Sequence, residues 1–526
     1  MMLMRSLAFA ALCAASAAPA AAQPRIVALS EGDERAYGAA FAAIETRDWR
    51  SVAAALNRVE DDSLAGIVRG RMLLSRAYTP SWSEMSQWLD RYGEYGLADD
   101  VYERAMDSRR RRSRAQAPEV QRARGRVLPG TAPSPPDDSS EARATITRIA
   151  ERIGENDYEG ARALATSAAH GPRAGPANWQ LGLIAYRLRD YAEAVRRFEL
   201  AALWPYHGGW ALAGAHYWAA RARLAAGETQ GVALHLEAAA ARPWTFYGQL
   251  AETQLGRDSA LTFTPAALDA ESLTRFMERH PGARRAAALA QLGRLSEVES
   301  ELRRLHGDLD ASEDSIFLAL SVTLEAPSAQ LRAAEYGGPE IASGFCPTTS
   351  FAPEDGFQLD RALIYAIVRQ ESYFNPKAVS TSNARGLMQV LASTAHDMDR
   401  STNYRRNPSA LFEPGLNMRL GQSYLRWLMD EFHSNGDLGR VFAAYNGGPG
   451  WLSRWLETQP GDLDPLLLLE TLPRQESRDY AERALSHMAL CRKIFGQPTP
   501  ELDSLASGGA ALYQPMDGGA APVGSP

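Results

Sequence analysis

The strongest constraint on what this chain folds into is a recurring spacing of small and aromatic residues. Leu181, Gly182, Ala194, Phe198 and Ala201 fall at the separations of two packed helices. The small residues let the backbones approach, and Phe198 fills the groove between units. A second pair runs from Trp210 to Ala241 with Gly227 at its turn, followed by Trp244-Thr245-Phe246-Tyr247-Gly248, and residues 284–305 read as a further, degenerate unit. Helix pairs that bury their faces only on neighbours stack into a solenoid. Residues 31–107 are also helical in period and rich in alanine, leucine and arginine, with Trp49, Trp82, Trp88 and Tyr92 as apolar anchors. Core packing accounts for those aromatics without any chemistry.

The spacing is that of a tetratricopeptide-type pair, with Trp179 and Pro205 each one place off the pattern. A chain of 526 residues exceeds what one core supports, and its composition divides it. Residues 108–138 hold a run of arginines from Arg109 to Arg112 and then Pro133-Ser134-Pro135-Pro136. Such a segment buries no core and is expected to be a mobile linker. The helical superhelix follows over 139–342, and the shift at Tyr336-Gly337-Gly338-Pro339 opens a last domain, 346–496. From 497 to 526 the composition is proline, glycine, alanine and serine, expected to be a disordered tail. The fold class is all-α.

Residues 1–22 read as processing signal. Arg5 precedes an apolar run from Leu7 to Ala18, and Ala20-Ala21-Ala22 precede Gln23, the pattern of a secretory signal peptide. Leu12 is too large for the residue before a lipid-bearing cysteine, so Cys13 does not make this a lipoprotein signal. No other run approaches the ~18 apolar residues that span a bilayer. The expected location is outside the cytoplasm, without a transmembrane anchor. Loss of Arg5 moves the formal net charge from −7 to −8, which argues against a nucleic-acid partner. Beyond the signal only Cys346 and Cys491 remain, either one disulfide in an oxidising compartment or two buried thiols. Two cysteines make no structural zinc site and the histidines lack ligand spacing, so neither metal nor cofactor is expected.

Chemistry enters at residues 360–394. Ile364, Ile367 and Val368 fall at i, i+3 and i+4, with Asp360 as N-cap, and the next position on that stripe is Glu371. Asn375-Pro376 stops the helix. Glu371 therefore faces inward in a last turn, where desolvation raises a carboxyl pKa towards that of a general acid. A carboxylate satisfied by an arginine or by backbone amides is the competing reading.

Three further clusters lie in the same domain. Arg385-Gly386-Leu387-Met388-Gln389 follows a Ser/Thr/Asn-rich loop that includes Ser380; Ala444-Tyr445-Asn446-Gly447-Gly448 closes a helix expected to begin near Met429; Glu476-Ser477-Arg478-Asp479-Tyr480 opens the last helix. In order with Glu371-Ser372, these motifs resemble the soluble lytic transglycosylases of bacterial cell walls. Tyr217-Trp218-Ala219-Ala220-Arg221 and 245–250 are similar to segments of that family's helical superhelix. The resemblance is strong over 346–496, fair over 139–342, and architectural before that. It departs at Val390-Leu391-Ala392, where the family has a hydrophobic residue, Met and Pro, and at Ser477, where the family has Thr.

The resemblance implies a goose-type-lysozyme-like catalytic domain on a curved or ring-shaped scaffold, acting on peptidoglycan glycan strands in the periplasm. It implies Glu371 as the catalytic acid. Ser380, Gln389 and Tyr445 would bond the muramyl N-acetyl group or Glu371, Gly386 and Met388 would shape the pocket wall, Asn446 would hold the backbone, and Glu476 and Tyr480 would line the cleft. No second acid accompanies Glu371 in the adjoining motifs, which points to closure of the sugar's own C6 hydroxyl onto C1 and a 1,6-anhydromuramyl product. A hydrolytic muramidase on the same fold, and a non-catalytic scaffold that recruits cell-wall proteins through its repeats, are the alternatives.

Overall fold

The computed structural model describes residues 26–109, 124–136, 138–264, 269–430 and 434–517. The signal-peptide expectation lies outside them, as do residues 110–123 of the arginine-rich segment. Among the described residues the chain is helical throughout, with only isolated β-bridges, and no helix is long and apolar enough to cross a membrane.

The expected helix pair is present as Ala174–Arg187 and Tyr191–Ala202. A Cβ at Gly182 would meet the Phe198 ring at 2.7 Å, so only glycine permits this approach. Phe198 is fully buried and packs on Trp179 and Trp218 at centroid distances of 5.5 and 5.7 Å. The next helix, Gly209–Ala226, ends at Gly227 in the left-handed conformation expected of its turn.

The superhelix and the last domain share one apolar core, in which Leu183, Phe198, Trp218 and Leu250 join Ile364, Leu425, Val441 and Leu485. Polar contacts reinforce it. Arg221 forks onto Asp464 at 2.6 and 3.2 Å, and Trp218 Nε1 donates to the Tyr247 hydroxyl at 2.9 Å, which in turn donates to Glu470. A second core joins residues 29–105 to 273–341 through Tyr37, Trp88, Phe276 and Phe317. The N-terminal helices therefore pack on the far end of the superhelix, a pairing of segments some 200 residues apart in which Gly96 N–H donates to Glu301 at 2.7 Å.

Three expectations need correction. From residue 124 the arginine-rich segment is held rather than loose. Gly125 N–H donates to Gly307 O at 3.1 Å, Gly209 N–H to Gly130 O at 2.9 Å, and Arg126 forks onto Asp314, with Nη2 at 2.7 Å from Oδ2. The tail is ordered through residue 517. Pro500–Ala506 forms a helix that buries Leu502 and Leu505, and Leu438 N–H donates to Ala511 O at 2.9 Å. Asp360 occupies the N-cap position without capping. Its carboxylate instead accepts from Met516 N–H at 2.9 Å, from Asp517 N–H at 3.0 Å and from the fully buried Arg492 at 3.0 Å. Arg492 also donates to Glu501 at 2.8 Å and Gln514 O at 2.7 Å. A buried guanidinium is costly unless paired, and two of the three partners of this arginine, Glu501 and Gln514, lie in the tail.

Candidate active site

Helix Arg361–Ser372 carries the apolar stripe into the core, with Ile364, Ile367 and Val368 fully buried. It ends at Tyr373 in the left-handed conformation, and Phe374 follows in the same region. Side chains from the superhelix hold these strained residues. Ser328 Oγ donates to Tyr373 O at 2.7 Å; Glu335 accepts from the Tyr373 hydroxyl at 2.8 Å and from Arg369 Nη2 at 3.1 Å. The last turn, with Glu371 in it, is thus clamped to helix Pro327–Tyr336. Cys346 and Cys491 are joined in a disulfide with 4.9 Å between Cα atoms, tying the entry of the domain to helix Gln475–Ile494.

Glu371 is half-buried and accepts a hydrogen bond from the Tyr480 hydroxyl at 2.8 Å. Burial raises its pKa to about 7; the Tyr480 bond opposes that shift and the negative charge of Glu476 adds to it. Burial also pushes the Tyr480 and Tyr445 phenols well above their ordinary range, so both stay protonated and donate. Their rings are parallel at 6.3 Å. The competing reading of Glu371, a carboxylate satisfied by an arginine or by backbone amides, does not describe this environment: among the described residues its hydrogen-bond partner is a phenol.

Of the residues singled out beforehand, Glu371, Asn446, Glu476 and Tyr480 line one open cleft of about 500 Å³. Tyr445 adjoins it and donates to Met388 O at 2.8 Å. Met388 contributes that carbonyl; its side chain is fully buried, in a position where a Cβ on Gly421 would meet its sulfur at 2.5 Å. Gly386 has φ +77°, and a Cβ there would come within 2.3 Å of Leu411 O. Gln389 Nε2 donates to Ala378 O at 3.2 Å and Gly386 O at 2.9 Å, bracing its own loop, and Ser380 Oγ accepts from Ala384 N–H at 3.0 Å. Asn446 Oδ1 accepts from Ser477 Oγ at 2.8 Å, so serine in place of threonine keeps the hydroxyl that this contact uses. Leu391, the other departure, is 40% exposed at the surface.

Sequence reasoning missed several members of the site. Asn417, fully buried, pins the 385–388 loop by accepting from Met388 N–H at 2.8 Å and donating to Arg385 O and Leu411 O at 2.8 and 2.9 Å. An asparagine in the apolar face of helix Pro414–Asp430 was the available signal. Gln370, Gln475, Asp479 and Arg483 also line the cleft. The last three fall with Glu476 and Tyr480 on one face of their helix, at a spacing readable from the sequence. Asp479 is an acid that the motifs did not single out: it lines the cleft together with Glu371 and Glu476. The helix carrying Tyr445 and Asn446 begins at Leu438 rather than near Met429, because Asn435 and Gly436 turn the backbone left-handed between two helices.

A carboxyl with its pKa raised to about 7 by burial, bonded by the Tyr480 phenol and open to a polar cleft in an all-α domain, has the properties a general acid requires near neutral pH. Residues 349–465 match the family described as the transglycosylase SLT domain, and this stretch is such a domain. Over 146 residues the chain is 38% identical to the soluble lytic murein transglycosylase of Salmonella typhimurium, covering 27% of this chain and 22% of that protein. It is 36% identical over 149 residues to the protein of the same name from Escherichia coli K12, again 27% and 22% of the two chains. The match spans only about a fifth of the length of these curated relatives. Among solved structures, lytic transglycosylase Slt of Pseudomonas aeruginosa aligns with a TM-score of 0.53 and 22% identity over 89% of this chain and 74% of that one. The 70 kDa soluble lytic transglycosylase of Escherichia coli aligns with a TM-score of 0.55 and 17% identity over 91% and 99%. These likenesses are of fold, and the all-α class with a helical superhelix followed by a mostly helical domain is the expected one.

Proposed function

We propose that the chain is a periplasmic peptidoglycan lytic transglycosylase, cleaving the bond between N-acetylmuramic acid and N-acetylglucosamine with Glu371 as its acid and then its base. The observation that carries this reading is the Glu371 carboxyl, raised to about 7 by burial and hydrogen-bonded to Tyr480 at the cleft. Protonated, Glu371 donates its proton to the glycosidic oxygen as the C1–O bond breaks. The carboxylate left behind takes the proton of the muramyl C6 hydroxyl while that oxygen bonds to C1. Glu371 returns to its starting state, no water is consumed, and a 1,6-anhydromuramyl end is formed. Tyr480 holds the carboxyl in place, and the Tyr445–Met388 contact keeps the 385–389 loop against it. Gln389 Oε1, on that loop, and Ser380, just before it, are the groups for the N-acetyl function. The repeats, besides clamping the Glu371 helix, are the surface on which other cell-wall proteins would dock.

Hydrolysis is the second reading, and Glu476 and Asp479 are the observation behind it, since a two-carboxylate muramidase needs a base across the bond. The mass of the released muropeptides separates the two. Anhydro products, one water lighter than the hydrolytic ones, are expected; hydrated products in their place would overturn the transglycosylase reading.

Glu476 acts on this chemistry through charge. Its carboxylate raises the Glu371 pKa, so Glu476→Gln lowers it, and the protonated fraction at a given alkaline pH shrinks. The alkaline limb of the kcat/KM profile should shift to lower pH by a fraction of a unit. An unmoved limb would take Glu476 out of the electrostatics of the site.

A further inference from the structure

The cation of the cleft has no task in the chemistry above. Arg483 is exposed and is the one cation among the described residues lining the cleft. Asp479 stands four residues before it, a separation at which opposite charges on a helix pair readily, yet Asp479 lies 3.6 Å from Arg478 Nε instead. Arg483 has no ion pair within 4.0 Å among the described residues. Its guanidinium sits 5.9 Å from the ring centroid of Trp210, on helix Gly209–Ala226 of the superhelix. The two parts of the molecule thus meet at this end of the cleft, and the aromatic face limits where the fork can point.

The charge balance gives this cation a use. Glu371, Glu476 and Asp479 line a cleft that, on the transglycosylase reading, takes in a polymer whose units themselves carry carboxylates. Like charges that close repel, and an unpaired guanidinium both offsets the repulsion and offers a planar fork matched to a carboxylate. We propose that Arg483, steadied on Trp210, is the carboxylate receptor of the cleft and selects glycan strands by the carboxylates that hang from the muramyl residue. The inference rests on the transglycosylase reading. The carboxylate has two sources, the stem peptide or, on strands stripped of stems, the lactyl group itself.

The test measures kcat/KM of the full chain and of Arg483→Gln on stem-bearing strands, on amidase-stripped strands, and on each after chemical amidation of the carboxylates. Arg483→Gln is expected to lose roughly tenfold on stem-bearing strands, mostly through KM, as the loss of a charge-assisted hydrogen bond implies. Amidation should lower wild-type kcat/KM by a similar factor and leave the variant indifferent to it, with Arg483→Lys recovering part of the loss. A loss on stem-bearing strands alone assigns the stem carboxylate, and one on stripped strands assigns the lactyl group. Equal losses on amidated and native strands, or none on either, overturn the proposal. Wild-type protein that releases hydrated products refutes the transglycosylase reading instead, whatever Arg483 does.

Discussion

Glu371→Gln removes bond cleavage, with kcat lower by roughly 10²–10⁴-fold, while the protein keeps its fold. The amide matches the carboxyl in shape and can still accept from the Tyr480 hydroxyl, which lies 2.8 Å from Oε1. What it lacks is a transferable proton. The wild-type pH profile carries the same signature. Burial disfavours the charged carboxylate, so its pKa rises to about 7. The proton-bearing, competent form therefore dominates below about 7 and is lost as pH rises through it, and the rate should fall along that limb. Release of soluble muropeptides from purified sacculi measures both effects. A Glu371→Gln protein that still degrades sacculi would remove Glu371 from the acid role. A wild-type protein with no activity on any strand would favour the scaffold alternative.

The second large effect is on stability. The Cys346–Cys491 bridge closes a loop with a sequence separation of 145 residues around the whole SLT domain. In the chain-entropy account such a closure contributes about 5 kcal/mol, chiefly by restricting the unfolded chain. Replacing both cysteines with serine should lower the denaturation midpoint of the domain substantially, and reductant should lower the wild type towards the variant without affecting the variant itself. Both half-cystines are buried, so each serine also places a hydroxyl in an apolar site. Reduction without mutation isolates the bridge from that cost. A wild-type midpoint insensitive to reductant under denaturing conditions would show that the closure contributes nothing.

Much of the site was legible because its signals are local. A carboxylate continuing the stripe of Ile364, Ile367 and Val368 is visible in the helical period alone, and so is the stop at Asn375-Pro376. Gly182 opposite Phe198 is likewise a spacing rule that the packed helices obey. The role of Asp360 could not be read that way. Its position before a helix suggested a cap, but its carboxylate is taken by Arg492, 132 residues away, and by the backbone of Met516 and Asp517. The same long-range demand orders a tail whose composition reads as loose, and Arg126 does likewise for a linker that composition alone would leave mobile. That Asp479 joins Glu371 and Glu476 in the cleft was decided the same way, since it reaches there from a helix more than a hundred residues downstream of Glu371.

The sequence by itself determined the all-α class, the repeat, the position of the buried acid and the motifs around it. Each of these is written in the periodicity of a single helix or in a short run of residues. Tertiary structure alone decided that Asp479 shares the cleft, that the superhelix clamps the last turn carrying Glu371, and that Arg483 meets Trp210. Those outcomes depend on which distant donors and acceptors meet once the apolar faces have packed, and no local spacing records that pairing.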